Sequence, residues 1–357
     1  MPSQMAKSVQ AQVRRMFDRR AATFDRVEFL PREIAGRMQE RLDYIKASPQ
    51  RILDAGCGLG RDLTTLATRY PTAQLTGVDL STPMLRRARA HSSAALDEQS
   101  RTPRAARRWL PDSVRRLWER QQPFLVQSDY ADLPFMMGAY DMVWSNLALQ
   151  WHRTPDQVFP EWQRVLSVGG LLMFSTLGPD TLKELRAAWI EADQTVRSEH
   201  GDPSPSPSPS PSPRAPVLDF VDMHDFGDML VASGFELPVM DMETLKVTYR
   251  DPAALLADVR GWGGFPTLPV SHPPGTPSAM GARSTLDETA AGSGLGGRGM
   301  QAALHAALAR QRAADGTISL TFEVVYGHAW KAQPRLTADG QAIVRLDQIG
   351  GRRRRTS

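Results

Sequence analysis

The chain predicts an α/β protein built on a parallel, doubly wound sheet, and three observations carry that prediction. Five short apolar runs, at 51–55, 74–78, 124–127, 140–145 and 171–175, alternate with stretches of helical periodicity. The first run passes through Asp54 into glycines at alternate positions, Gly56, Gly58 and Gly60, within RILDAGCGLGR. Polar residues then recur at the carboxyl ends of the runs: Asp54, Asp79, Asp129 and Asn146. Ligands of open parallel sheets lie outside those ends, so these side chains converge on one crevice.

The glycine turn narrows the ligand. A dinucleotide fingerprint would place its third glycine at 61, where this chain has Arg61. The G-x-G-x-G form after an acid suits a ligand with an amino-acid tail rather than a diphosphate, and a helix starting near residue 61 points its N-terminus at it. Asp79 closes the second strand, where a carboxylate can accept from both hydroxyls of a ribose. Asp129, in Ser128-Asp129-Tyr130 after the third strand, is placed for an adenine amino group.

Taken in order, residues 8–46 read as cover helices, with Val13, Met16, Phe17, Phe24, Ile34, Met38, Leu42 and Ile45 at three and four spacing. Helix 61–70 is stopped by Pro71, and Ser81 with Pro83 opens a helix running to about Ala95. Residues 97–122 are an arginine-rich insert. The fourth strand (YDMVWS) leads through Asn146–Gln150 to Trp151 and His152, and a helix from Pro155 to Leu166, with Gly169-Gly170 as its stop, is expected before strand 171–175. A helix covers Asp180 to about Thr195. Residues 201–216 form a Pro-Ser linker, since proline at every second position permits neither helix nor ladder. Beyond it come a helix at Met223–Gly234, a strand near Val239–Tyr249, a helix at Asp251–Trp262, a Gly/Pro-rich stretch at 263–299, a helix at Met300–Ala314 and a last strand at Ile318–Trp330. Residues 333–357 are expected to be a disordered basic tail. The domain division is thus 1–46, 47–200, 201–216, 217–332 and 333–357.

Composition sets outer bounds. The chain has 357 residues, 41% of them hydrophobic, a net charge of +4 and one cysteine, Cys57. That supports a sizeable core and excludes a disulfide framework or cysteine-based metal site. No run approaches the roughly 18 apolar residues of a membrane span, and no secretory signal is apparent, so a cytoplasmic protein is expected. Arginine clusters at 101–120 and 352–355 suit an anionic partner.

These residues together resemble the class I S-adenosylmethionine methyltransferases, and among them the malonyl-acyl-carrier-protein O-methyltransferase family of biotin synthesis. The glycine motif, Asp79, Asp129 with Leu133-Pro134-Phe135, and YDMVWSNLALQW (Tyr140–Trp151) carry the likeness. FDRRAATFD (Phe17–Asp25), TLGPDTLKELR (Thr176–Arg186), LLADVRGWGG (Leu255–Gly264) and the strand ending at Trp330 extend it. The mitochondrial complex I assembly factor, a methyltransferase-like protein assigned arginine hydroxylation, shares DTLKELR and DFGDMLVASGF (Asp225–Phe235). The resemblance implies a Rossmann-like seven-stranded sheet, mostly parallel with an antiparallel last strand, helices on both faces and lid insertions.

It also implies S-adenosylmethionine as cofactor, held by Asp54, Gly56, Gly58, Gly60, Asp79, Leu80, Asp129, Tyr130 and Asn146. The acceptor would be the carboxylate of malonyl-acyl-carrier protein, met by Phe24, Trp151 and His152, with the acidic carrier steered by the arginine-rich insert. Phe24 replaces a tyrosine usual in that family. A carboxylate is already ionised at neutral pH, so no catalytic residue is assigned. No metal site is expected. The alternatives are a protein-arginine hydroxylase or a non-catalytic assembly factor. Nucleic acid is not an expected partner, since SNLA stands where a base-flipping enzyme would carry its motif after strand four.

Overall fold

The computed structural model describes residues 4–99, 122–199, 220–263 and 298–333. Nearly all of the arginine-rich insert, the Pro-Ser linker, most of 263–299 and the basic tail lie outside the described residues. Seven strands form one sheet: β1 (Arg51–Ala55), β2 (Gln74–Asp79), β3 (Phe124–Gln127), β4 (Tyr140–Ser145), β5 (Leu166–Leu177), β6 (Phe235–Tyr249) and β7 (Ile318–Lys331). Their order is β3-β2-β1-β4-β5-β7-β6. β1 to β5 run parallel, and β7 enters antiparallel between β5 and β6. The chain winds outward from β1 to β3, then returns to β4 on the other side. The strand order therefore reverses between β1 and β4, and a crevice opens there.

The strands are apolar on both faces because both faces are covered. On β1 Ile52 packs into one core and Leu53 into the other; Met142 and Val143 on β4, and Leu171 and Leu172 on β5, divide in the same way. This is the period-2 alternation of a strand buried on both sides. The first core also takes up α1 (Gln4–Arg20), α2 (Phe29–Arg41), α3 (Arg61–Arg69) and, further along the chain, α6 (Lys183–Glu199), α8 (Pro252–Trp262) and α9 (Arg298–Arg310). The second is closed by α5 (Pro155–Val165) and α7 (Met223–Ala232). Between them in sequence, α4 (Thr82–Gln99) packs at its start against the turn after β1 and against α1. Among the described residues no helix is long and apolar enough to cross a membrane.

Three sequence expectations change. The N-terminal helical run is broken: α1 ends at Arg20, a 3-10 turn spans Phe24–Val27, and α2 begins at Phe29. Pro31 supplies the reason, because proline lacks an N–H and is tolerated only in a helix's first turn. Gly169-Gly170 does not stop a helix. α5 ends at Val165, within a residue of the expected end, but Leu166 is already extended with ψ 141°, and the glycines lie inside β5. Gly169 has φ 73° where the pairing of β5 with β4 shifts register, so it forms a bulge. β6 likewise starts at Phe235, four residues before the expected strand.

Trp162 on α5 is fully buried with Phe159, Phe174 and Phe226, ring centroids 5.8 Å from Phe159 and 6.3 Å from Phe174. Its indole N–H donates to the Tyr130 carbonyl at 3.1 Å, tying α5 to the loop after β3. Truncating it leaves both a void and an unpaired carbonyl. Trp162→Ala should lower unfolding free energy by about 3–5 kcal/mol, read as a reduced urea midpoint at unchanged slope.

Candidate active site

The crevice is built by the turn that follows β1. Asp54 and Ala55 end that strand, both buried, and Gly56 turns the chain with φ 86°. A Cβ at Gly56 would stand 2.4 Å from the Ala148 Cβ, so only glycine lets this loop pass the segment after β4. The Gly56 and Cys57 amides both donate to the Val78 carbonyl, at 2.8 and 2.9 Å, fastening the turn to β2. At the end of β2 the Asp79 carboxylate accepts from the Gly58 amide (3.0 Å) and the Ser81 amide (2.8 Å). Its geometry is therefore set by backbone before any ligand arrives.

The electrostatics follow from burial. Asp54 is 1% exposed, and its Oδ2 has no hydrogen-bond partner among the described residues. Burial, with Asp62 and Asp79 nearby, holds its pKa well above the usual carboxylate range. Asp62, in the first turn of α3, accepts from the Trp144 indole at 2.9 Å. Burial nevertheless pushes it up to about 6. Asp79 also rises to about 6 through burial, against the two amides that favour its charged form. A cavity lined by three such carboxylates, one with an orphaned oxygen, fits a ligand that brings positive charge, as a sulfonium and an ammonium do.

The N-terminal elements close this cavity from above. Val13, Phe17, Phe24, Glu28 and Leu30 line it, and Phe17 meets Trp151 edge-on at 5.2 Å and Phe24 at 6.1 Å. Ion pairs and hydrogen bonds anchor the cover: Asp18 to the Ser81 hydroxyl (2.7 Å), Asp25 to Arg87, and Glu28 to Arg61 (3.0 Å). From α8 the Trp262 indole donates to the Val27 carbonyl at 2.7 Å and shows its ring to the cavity.

Asp54, Gly56, Gly58, Asp79, Leu80, Tyr130, Asn146, Phe24 and Trp151 all line this single cavity. Gly60, Asp129 and His152 stand outside its lining. Gly60 has φ 71° at the start of α3 and lies against Ala88, a packing role. Asp129 accepts from the Ala131 amide at 2.9 Å within its own loop. His152 rests on the Tyr130 ring at 5.9 Å and contacts the Thr154 carbonyl through Nδ1 at 3.0 Å; burial lowers its pKa. The Tyr130 hydroxyl donates to the Ala148 carbonyl at 2.9 Å. The Asn146 amide donates to the Pro31 carbonyl (3.0 Å), and its oxygen accepts from Ser175 (2.8 Å), so this side chain joins the cover to the sheet.

The sequence reading missed Asp62, Glu28, Arg61, Arg32 and Trp262. Asp62 carried a usable signal, since it is the acid in the first turn of the helix that faces the ligand. Glu28, Arg32 and Trp262 had none, because only folding brings residues this far apart in sequence to one wall.

The fold and this cavity define a class I S-adenosylmethionine-dependent methyltransferase, and a family model described as a methyltransferase domain matches residues 53–174. Three curated relatives span almost the whole chain. The malonyl-[acyl-carrier protein] O-methyltransferase of Laribacter hongkongensis is 42% identical over 338 residues, 94% of each chain. Proteins of that name from Methylovorus sp. and Gallionella capsiferriformans are 38% and 39% identical, the first over 94% of each chain, the second over 93% of this chain and 94% of its own. The chain belongs to the malonyl-[acyl-carrier protein] O-methyltransferase family.

Two measurements test the cradle. Gly56→Ala combines a disfavoured φ with the clash on Ala148, and should weaken S-adenosylmethionine binding at least about tenfold by calorimetry while the far-ultraviolet dichroism stays native. The second concerns pH. Asp62 and Asp79 have folded pKa values of about 6 against an ordinary 3.8, so their cost is absent below about pH 4 and complete above pH 6. The ligand-free protein should therefore lose stability from these groups as pH rises from 4 to 6. Affinity for S-adenosylmethionine should move the opposite way, weakening as pH falls through about 6, when the carboxylates that attract its positive charge become neutral.

Proposed function

We propose that this chain transfers a methyl group from S-adenosylmethionine to the free carboxylate of a malonyl group carried as a thioester on an acyl carrier protein, in the cytoplasm. The reading is carried by the near end-to-end likeness to relatives of that name. The cavity chemistry supports it. Neither lysine nor histidine lines the cavity among the described residues, its tyrosine hydroxyl is spent on the Ala148 carbonyl, and burial keeps the Cys57 thiol protonated. A carboxylate acceptor needs none of these as a base, because with a pKa of about 4 it is ionised at neutral pH.

When bound, S-adenosylmethionine supplies an electrophilic methyl carbon on a sulfonium and departs as the neutral thioether. The protein's part is placement. In this reading Asp79 takes the ribose hydroxyls, and Leu80 and Tyr130 flank the adenosyl group with Asp129 beyond them. Asp54 faces the methionine end, where its free oxygen suits the ammonium. Phe17, Phe24 and Trp151 form the apolar side of the cavity against which the acceptor enters, excluding water from the attacking carboxylate. Alignment of this kind is worth up to about 7–11 kcal/mol in favourable cases. The oxygen–methyl bond forms as the sulfur–methyl bond breaks, its electron pair returns to sulfur, and no proton moves.

The purified protein, given S-adenosylmethionine and malonyl-loaded acyl carrier protein, should yield one methyl ester per malonyl group by intact-protein mass spectrometry. An acetyl-loaded carrier, which lacks the free carboxylate, should give none. Cofactor binding without ester formation on the malonyl carrier overturns this reading.

A further inference from the structure

Among the described residues, the cavity lining carries one cation that its neighbours leave unpaired. Its lining carries four carboxylates, Glu28, Asp54, Asp62 and Asp79, and two cations, Arg32 and Arg61. Arg61 is committed: its Nε lies 3.0 Å from one Glu28 oxygen and 3.3 Å from the other, and its terminal nitrogen is 3.7 Å from Asp25. Arg32 is exposed at the cavity mouth, and its side chain makes no ion pair or hydrogen bond among the described residues. It also borders a second cavity between α2, α3 and α4, where the two share Arg32, Arg61 and Asp62.

Arg32 is held in place by its backbone. Its amide donates to the Glu28 carbonyl at 2.9 Å. The preceding residue, Pro31, accepts from the Asn146 amide, which is in turn fixed by Ser175 on β5. The start of α2 is thus pinned to the ends of β4 and β5, while the guanidinium remains open to the cavity. A planar fork of donors in that position matches a carboxylate in two-point contact. Both reacting partners carry one: the cofactor at its α-carbon, and the acceptor as its nucleophile. Either anion meets Asp54, which is buried, and the half-buried Asp62 and Asp79 in this cavity, and needs a cation beside it.

We propose that Arg32 is the carboxylate-binding residue of this active site, with Asn146 and Pro31 positioning it. The part of this inference that concerns the acceptor rests on the malonyl reading above; the part that concerns the cofactor does not.

The test uses the full chain with Arg32→Gln and Arg32→Lys, each checked for a wild-type melting temperature. Binding of S-adenosylmethionine and of its decarboxylated analogue is measured by calorimetry, and KM and kcat for the malonyl carrier by ester formation. If Arg32 holds the cofactor's carboxylate, Arg32→Gln weakens S-adenosylmethionine about tenfold or more, leaves the decarboxylated analogue unchanged, and so erases the wild-type preference between them. If it holds the acceptor's carboxylate, both cofactor affinities stay within about twofold and KM for the malonyl carrier rises about tenfold or more at similar kcat. Arg32→Lys, keeping the charge without the fork, recovers part of either loss. Unchanged cofactor preference together with unchanged KM overturns the proposal. Should the wild-type protein form no malonyl ester, the malonyl reading fails, and the cofactor preference alone decides for or against Arg32. A variant that melts early is replaced by Arg32→Lys, whose preference and KM are read in the same way.

Discussion

The crowding of Asp54, Asp62 and Asp79 around one buried turn is the constraint on which the rest of this site depends. Carboxylates taken out of water repel one another and strain toward the neutral form, as their raised pKa values show. Among the described residues little relieves this. Backbone amides serve Asp79 and the Trp144 indole serves Asp62, but Asp54 keeps a bare oxygen, and Arg61 is drawn away to Glu28. The ligand-free protein bears an electrostatic cost that a positively charged cofactor removes. Binding strength and poor local stability are the same feature seen with and without that ligand.

The surrounding architecture is arranged to keep the cost bearable. β1 and β4 are buried on both faces, so the strand ends carrying Asp54 and Asn146 have little freedom. The cover is fastened by polar links at its joints and by aromatic packing over the cavity. Such exposed or half-exposed ion pairs are individually weak, which suits an element that must admit and release ligands. The buried aromatic layer beneath α5 has the opposite character and supplies rigidity where no movement is needed.

One side chain shows how a sequence position acquires a role from its partners. Asn146 sits after β4, where an amide is expected to reach a ligand. In the folded chain it lines the cavity, and its amide also links Pro31 to Ser175, holding the start of α2 over the strand ends. Asp129 follows a similar pattern, with one oxygen accepting from the Ala131 amide of its own loop.

What the sequence by itself determined is the sheet and the cradle. The apolar runs had to be buried on both faces, the glycines had to adopt positive φ in the turn after β1, and the acids had to fall at strand ends, since each of these follows from residues close together in the chain. It misplaced the start of β5, because Gly169-Gly170 serves a helix stop and a strand bulge equally well until β4 pairing decides between them. It read one helical run where the chain breaks before Pro31. It was silent on the acceptor wall. Glu28 against Arg61, Trp262 against Val27 and Arg32 at the cavity mouth join parts of the chain that only the fold brings together. Tertiary structure decided those pairings because charge and packing act through distance in space, which local sequence pattern does not record.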